Sequence, residues 1–91
     1  VTLDDRPRRA PGVIAQKVSD KVILLNVDSG RYYSLDGVAA KVWELCDGLR
    51  PVSDTIAVIR AEYPGGHGTV EEDVLSFLGD LARERLIDGA H

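Results

Sequence analysis

The residues able to do chemistry in this chain are few, and their spacing does not suit catalysis. Cys46 is the only cysteine, and His67 and His91 are the only histidines. A nucleophilic thiol needs a base within reach, and no histidine lies near Cys46 in the sequence. Cys46 instead falls on the apolar stripe of a helix, which points to a buried small hydrophobe. No histidine pair has ligand spacing, so no metal site is expected. Gly65-Gly66-His67-Gly68 superficially resembles a phosphate cradle. It follows a helix rather than a strand and lacks the Gly-Lys-Ser/Thr continuation. The acidic run Glu71-Glu72-Asp73 reads most simply as a helix start favoured by the helix dipole, with Asp73 as a candidate contact for a basic partner. No catalytic residue, metal or cofactor is expected.

The elements around these residues are more informative. Val13 to Val18 alternates weakly and reads as a first strand. Val22 to Val27 is nearly continuously apolar, as expected of a strand covered on both faces or central in its sheet. Asp28-Ser29-Gly30 is hairpin chemistry: Asp28 bonds nearby backbone and Gly30 takes the positive-φ position. Arg31 to Leu35 is the return strand. Tyr33 and Leu35 share one face with Arg31, and Tyr32 and Ser34 share the other.

Asp36 is the expected N-cap of a first helix with Ala39, Val42, Trp43 and Cys46 in its stripe, stopped by Gly48 in the left-handed region. Pro51 and Ser53 open a second helix that buries Val52, Ile56, Ile59 and Tyr63, and the loop at 64–68 ends it. Thr69 and Glu72 have capping-box spacing. The third helix runs to about Arg85 with two apolar sides. One holds Val70, Val74, Phe77, Leu78 and Leu81; the second holds Leu75, Ala82 and Leu86. One side faces the core, and the second needs the sheet or a partner. The expected fold is α+β: a small winged-helix-like domain in which a three-stranded antiparallel sheet is followed by three helices. Residues 1–12, with two prolines and the cluster Arg6, Arg8 and Arg9, read as a flexible N-terminal arm, and residues 13–88 as the domain.

Composition narrows the function classes. Ninety-one residues make one small domain, and 44% apolar content suits a packed core. A net charge of −4 argues against phosphate-backbone binding. So do the long link between the second and third helices and the acidic start of the third, although the element order invites a winged-helix DNA-binding reading. No run of 18 or more apolar residues offers a membrane span, and the polar start is no secretory signal. A single cysteine fits a reducing cytoplasm. An exposed edge strand at Arg31 to Leu35 is suited to pairing with an extended peptide, with apolar pockets beside it for a few anchors. The same edge allows a monomer or a weak homodimer.

Taken in order, VILLNVDSGRYYSLD, the helix with Val42-Trp43-Glu44-Leu45-Cys46-Asp47-Gly48, the start Arg50-Pro51-Val52, and Asp73-Val74-Leu75-Ser76-Phe77-Leu78 through Arg85-Leu86-Ile87 resemble the PqqD-like proteins. The resemblance implies a peptide-recognition domain that binds the leader of a ribosomally made, post-translationally modified precursor peptide. It implies leader addition as a strand beside Arg31, Tyr32, Tyr33, Ser34 and Leu35, packed on the helix face with Asp73, Val74, Phe77, Leu78, Leu81 and Arg85. The Asp-Ser-Gly-Arg-Tyr-Tyr run is more similar to stand-alone proteins of lasso-peptide clusters. That subtype implies a leader peptidase and a cyclase as partners. A chaperone for a radical-SAM enzyme is the alternative within the family.

Overall fold

The computed structural model describes residues 1–63 and 69–89. Eight elements follow in chain order: β1 (Arg8–Arg9), β2 (Val13–Val18), β3 (Lys21–Asn26), β4 (Arg31–Asp36), α1 (Gly37–Glu44), α2 (Val52–Glu62), α3 (Val70–Arg83) and β5 (Ile87–Asp88). The three-stranded sheet has the order β2-β3-β4, antiparallel throughout. The three helices follow it, which is the α+β architecture expected from the sequence.

The central place of β3 explains its apolar run. Val22, Leu24 and Asn26 point to the helices and are buried, while Ile23 and Leu25 lie half-buried on the outer face. Val27, read as the last strand residue, lies past the end of β3 and is exposed. The core joins Val22, Leu24 and Leu35 of the sheet to Val42 and Trp43 of α1, Ile56 and Ile59 of α2, and Val74, Leu78 and Leu81 of α3.

The hairpin is held differently from the sequence expectation. Asn26, not Asp28, organises the turn: its Oδ1 accepts the Asp28 and Ser29 amides at 3.0 and 3.3 Å. Its Nδ2 donates to the Glu84 carbonyl at 3.1 Å. Asn26 is buried, and both polar atoms of its side chain find partners within the fold. Gly30 does take the positive φ, +74°.

Three other local expectations change. α1 ends at Glu44, before Gly48, because the backbone beyond it pairs with the N-terminal segment. The Arg9 amide donates to the Cys46 carbonyl at 3.1 Å, and the Gly48 amide donates to the Pro7 carbonyl at 2.9 Å. Gly48 is left-handed, φ +79°, and a Cβ there would stand 3.1 Å from the Arg8 Cβ. Asp36 occupies the N-cap position of α1 without a side-chain capping bond. The Thr69–Glu72 box does not form either. Thr69 has φ −95° and ψ 2°, outside the extended region that aims a capping hydroxyl at the helix. Its hydroxyl donates instead to the Asp73 carboxylate at 3.2 Å.

Residues 1–12, expected as an arm, run along the domain. β1 pairs antiparallel with β5, Pro7 is buried, and the Val52 and Ser53 amides donate to the Asp5 and Leu3 carbonyls. This second sheet uses the closing pair Leu86-Ile87: both side chains are buried, and Ile87 pairs with Arg9. The loop at 64–68, with His67, and His91 lie outside the described residues.

Candidate functional site: an open sheet edge beside an apolar groove

Cys46 offers no chemistry here. It is 2% exposed and its thiol donates to the Val42 carbonyl at 3.3 Å. Burial pushes its pKa up to about 12, and the nearby Arg9 opposes this only in part. The thiol therefore stays protonated at neutral pH. An unfolded chain ionises its thiol from near 9.0, so folding loses stability as pH rises from there towards 12. The expected result is that Cys46→Ala flattens the fall in stability over this window relative to wild type. Denaturant titrations at several alkaline pH values measure it; parallel curves for the two proteins would contradict the assignment. Among the described residues, no three His, Cys, Asp or Glu side chains converge where a metal ion could sit.

The sheet leaves β4 paired on one side only, by β3. Such an edge presents unpaired backbone N–H and C=O groups. β2 is the other edge. The hollow beside it is lined by Arg9, Lys17 and Glu44 along with Ala15, Val22 and Trp43. An apolar groove of about 390 Å³ lies instead at the far end of β4, lined by Val38, Ala39 and Val42 of α1, Ile59 and Tyr63 of α2 and its end, and Val70, Asp73, Val74 and Phe77 of α3. Asp73 is its one charged lining residue among those described.

Contacts at the two ends define how α3 lies beside β4. Tyr33 and Arg31, early in β4, meet Glu84 at the end of α3: the Tyr33 hydroxyl donates to Glu84 Oε2 at 3.0 Å, and Arg31 Nη1 lies 3.7 Å from the same oxygen. Val38, just beyond β4, shares the groove with Asp73 and Phe77 near the start of α3. Strand and helix therefore run in opposite directions. Their lengths match: five strand steps cover about 17 Å, and the eleven helical steps from Asp73 to Glu84 cover about 16 Å. Burial raises the Tyr33 phenol above its ordinary pKa. Glu84 adds to this and Arg31 opposes it, so the hydroxyl remains a donor.

The candidate residues divide by position. Arg31 and Tyr33 face α3, and Leu35 sits beneath them in the core. Tyr32 and Ser34 project from the opposite face; Tyr32 is 72% exposed, in register with Leu25 and, beyond it, Ile14. Asp73 and Phe77 line the groove, with Val74 at its floor. Leu78 and Leu81 are core residues that hold the floor from beneath. Arg85, with φ +58°, follows Glu84 in a separate polar hollow that both line with Ser29, Arg31, Arg83 and Asp88.

The available apolar side of α3 is the flank with Val70 and Phe77. Leu75 and Ala82, on the second apolar side of the helix, are half-buried like Val70 and Phe77 but do not line the groove. Val38, Ala39, Tyr63 and Glu84 were not expected at the site; Tyr63, expected on the buried face of the second helix, lies just past its end and is exposed at the groove. The seven-residue step from Phe77 to Glu84, two helical turns, is the one signal that could have placed Glu84 on this flank.

Known structures share this fold. TbiB1, solved in complex with the TbiA(beta) leader peptide, is similar at 31% identity over 92% of this chain and 98% of that one, with a TM-score of 0.83. A lasso peptide synthetase B1 complexed with its leader peptide is similar at 25% identity over 90% and 95% of the two chains, with a TM-score of 0.72. No curated protein sequence matches. Residues 21–87, from the start of β3 through the first residue of β5, match the family described as coenzyme PQQ synthesis protein D. With both the edge strand and the grooved helix inside that match, this chain belongs to the PqqD family.

Proposed function

We propose that this protein is a non-catalytic adaptor that binds the leader of a ribosomally synthesised precursor peptide and delivers it to processing enzymes. The leader adds as a strand along β4 and seats an apolar side chain in the groove formed by Val38, Ala39, Val74 and Phe77. The proposed contact set is Arg31, Tyr32, Tyr33, Ser34 and Leu35 along the strand, with Asp73, Val74, Phe77, Leu78, Leu81 and Arg85 on and beyond the helix. Within this set, Leu35, Leu78 and Leu81 act as support. The enzymes it serves are a lasso-peptide leader peptidase and cyclase, in the cytoplasm where precursors are made.

The observation that carries this reading is the open β4 edge flanked by an apolar groove in a chain 31% identical to a leader-bound protein. The acidic first turn of α3, Glu71, Glu72 and Asp73, is unsuited to approaching nucleic acid. Fluorescence polarisation tests the proposal directly, with two labelled probes: the TbiA(beta) leader and the leader of the precursor encoded beside this chain. Saturable binding of at least one is expected. Unchanged polarisation of both at protein concentrations into the high micromolar range would sink it.

A further inference from the structure

Glu84 lies outside the contact set and joins α3 to β4 at the polar hollow it lines with Asn26, Arg31 and Arg85, at the other end of α3 from the apolar groove. It is the C-cap residue of α3. Its carboxylate takes the Tyr33 hydroxyl and faces Arg31, both on β4. Its backbone carbonyl accepts from Asn26 Nδ2, and Asn26 also organises the β3–β4 turn. Directly after it the chain turns through a left-handed residue, Arg85, and the Leu86 amide closes back on the Leu81 carbonyl at 2.8 Å. The end of α3 is thus tied to the hairpin by one main-chain and two side-chain contacts, all through a single residue.

Among the described residues, the apolar end, near the start of α3, has no such link. There Val74 and Phe77 share the groove lining with Val38, Ala39 and Val42, all apolar side chains. Apolar packing is non-directional, so it leaves a helix freer to roll than a hydrogen bond does. An added strand must lie about 4.8 Å from β4, so the gap between β4 and α3 has to be set within a narrow range before a peptide arrives. A groove held open at that width spends less of the binding free energy on ordering itself.

We infer that Glu84 is a positioning residue for peptide binding: through Tyr33 and Arg31 it clasps the end of α3 to β4 and sets the width of the groove, without itself contacting the apolar anchor. The inference rests on the leader-binding reading and assigns a role to a residue outside the proposed contact set. It separates the three atoms of the clasp by substitution. Glu84→Ala removes both side-chain contacts. Glu84→Gln keeps an oxygen to accept the Tyr33 hydroxyl and loses the ion pair, which at an exposed site contributes little. Tyr33→Phe removes only the hydroxyl and keeps the ring.

The test measures the affinity of each variant for the same two labelled leader peptides, together with thermal unfolding and amide hydrogen exchange of the free proteins. Glu84→Ala is expected to bind about tenfold more weakly and Tyr33→Phe several-fold more weakly, as loss of one hydrogen bond implies. Glu84→Gln should recover to within about threefold of wild type by the same reasoning. Exchange should quicken in β4 and the last turn of α3 while the core of α1 and α2 keeps its protection, which a general loss of stability would not produce. If wild type binds and Glu84→Ala binds equally well, this inference falls and the leader-binding reading stands. If Glu84→Gln is as weak as Glu84→Ala while Tyr33→Phe is unaffected, Glu84 acts by charge on the peptide, and positioning is overturned. If wild type binds neither probe, both readings fall together.

Discussion

Val38→Asp is expected to leave the domain folded and to weaken leader-peptide binding by roughly a hundredfold or more. Val38 lines the apolar groove and is 40% exposed in the free protein. Its substitution therefore removes little packing. It sits in the first turn of α1, which carries no acidic residue, and a carboxylate there favours the helix N-terminus by about 0.3–1 kcal/mol. Stability should hold or rise slightly. Binding should fail for a different reason. An apolar anchor entering the groove would strip water from the new carboxylate, and no cation lines the groove among the described residues. Desolvating an unpaired carboxylate costs several kcal/mol, and about 2.7 kcal/mol already gives a hundredfold loss. Leu49→Asp is the control, because Leu49 is exposed and outside the groove. The paired measurement is thermal melting and fluorescence polarisation on the same samples. Equal affinity of Val38→Asp and wild type would remove the groove from the site.

Leu78→Ala is expected to act in the opposite sense, on the fold rather than on the peptide. Leu78 is 0% exposed and stands at the centre of the core. Truncating a fully buried leucine costs about 3–4 kcal/mol through lost transfer free energy and the cavity left behind. A domain of this size has roughly 5–13 kcal/mol in all, so the change removes a large share of its stability. The melting temperature should fall by about 15–25 °C. Trp43, buried in the same core, reports the transition by its fluorescence. At low temperature, where the variant is still folded, leader affinity should stay close to that of wild type. A large loss of affinity with little loss of stability would return Leu78 to the binding surface. The two substitutions together separate groove from scaffold on residues forty positions apart.

Much of this was legible in local pattern. The period of two in Arg31 to Leu35 put Tyr33 and Leu35 on one face and Tyr32 on the other, and the structure has them so. The continuous apolar run of β3 reflects its central place, where both faces are covered in part. Periodicity also put Cys46 inside. What failed were the details that depend on a distant partner. Asp28 and Asn26 are both competent turn residues. Asn26 prevails because its second polar group finds the Glu84 carbonyl, 58 residues away. α1 stops at Glu44 because the N-terminal segment captures the backbone beyond it. Residues 1–12 look like an arm by composition, yet prolines and arginines also suit a short edge strand that pairs with β5. The third helix has apolar residues over about 160° of its circumference, wider than the core alone consumes, and pattern alone does not say which flank the rest of the fold leaves open.

By itself the sequence determined the element order, the facing of the hairpin residues, the inert burial of Cys46 and the presence of surplus apolar surface on α3. Each follows from spacing along a few residues, where backbone geometry dictates direction. The tertiary structure alone decided that α1 contributes Val38 and Ala39 to the groove lined by Val70 and Phe77, and that Glu84 joins α3 to the edge strand. These are juxtapositions of segments 30 to 50 residues apart. They are set by which faces the shared core consumes first, and the groove is the apolar surface left after Leu78, Leu81 and Val74 have packed.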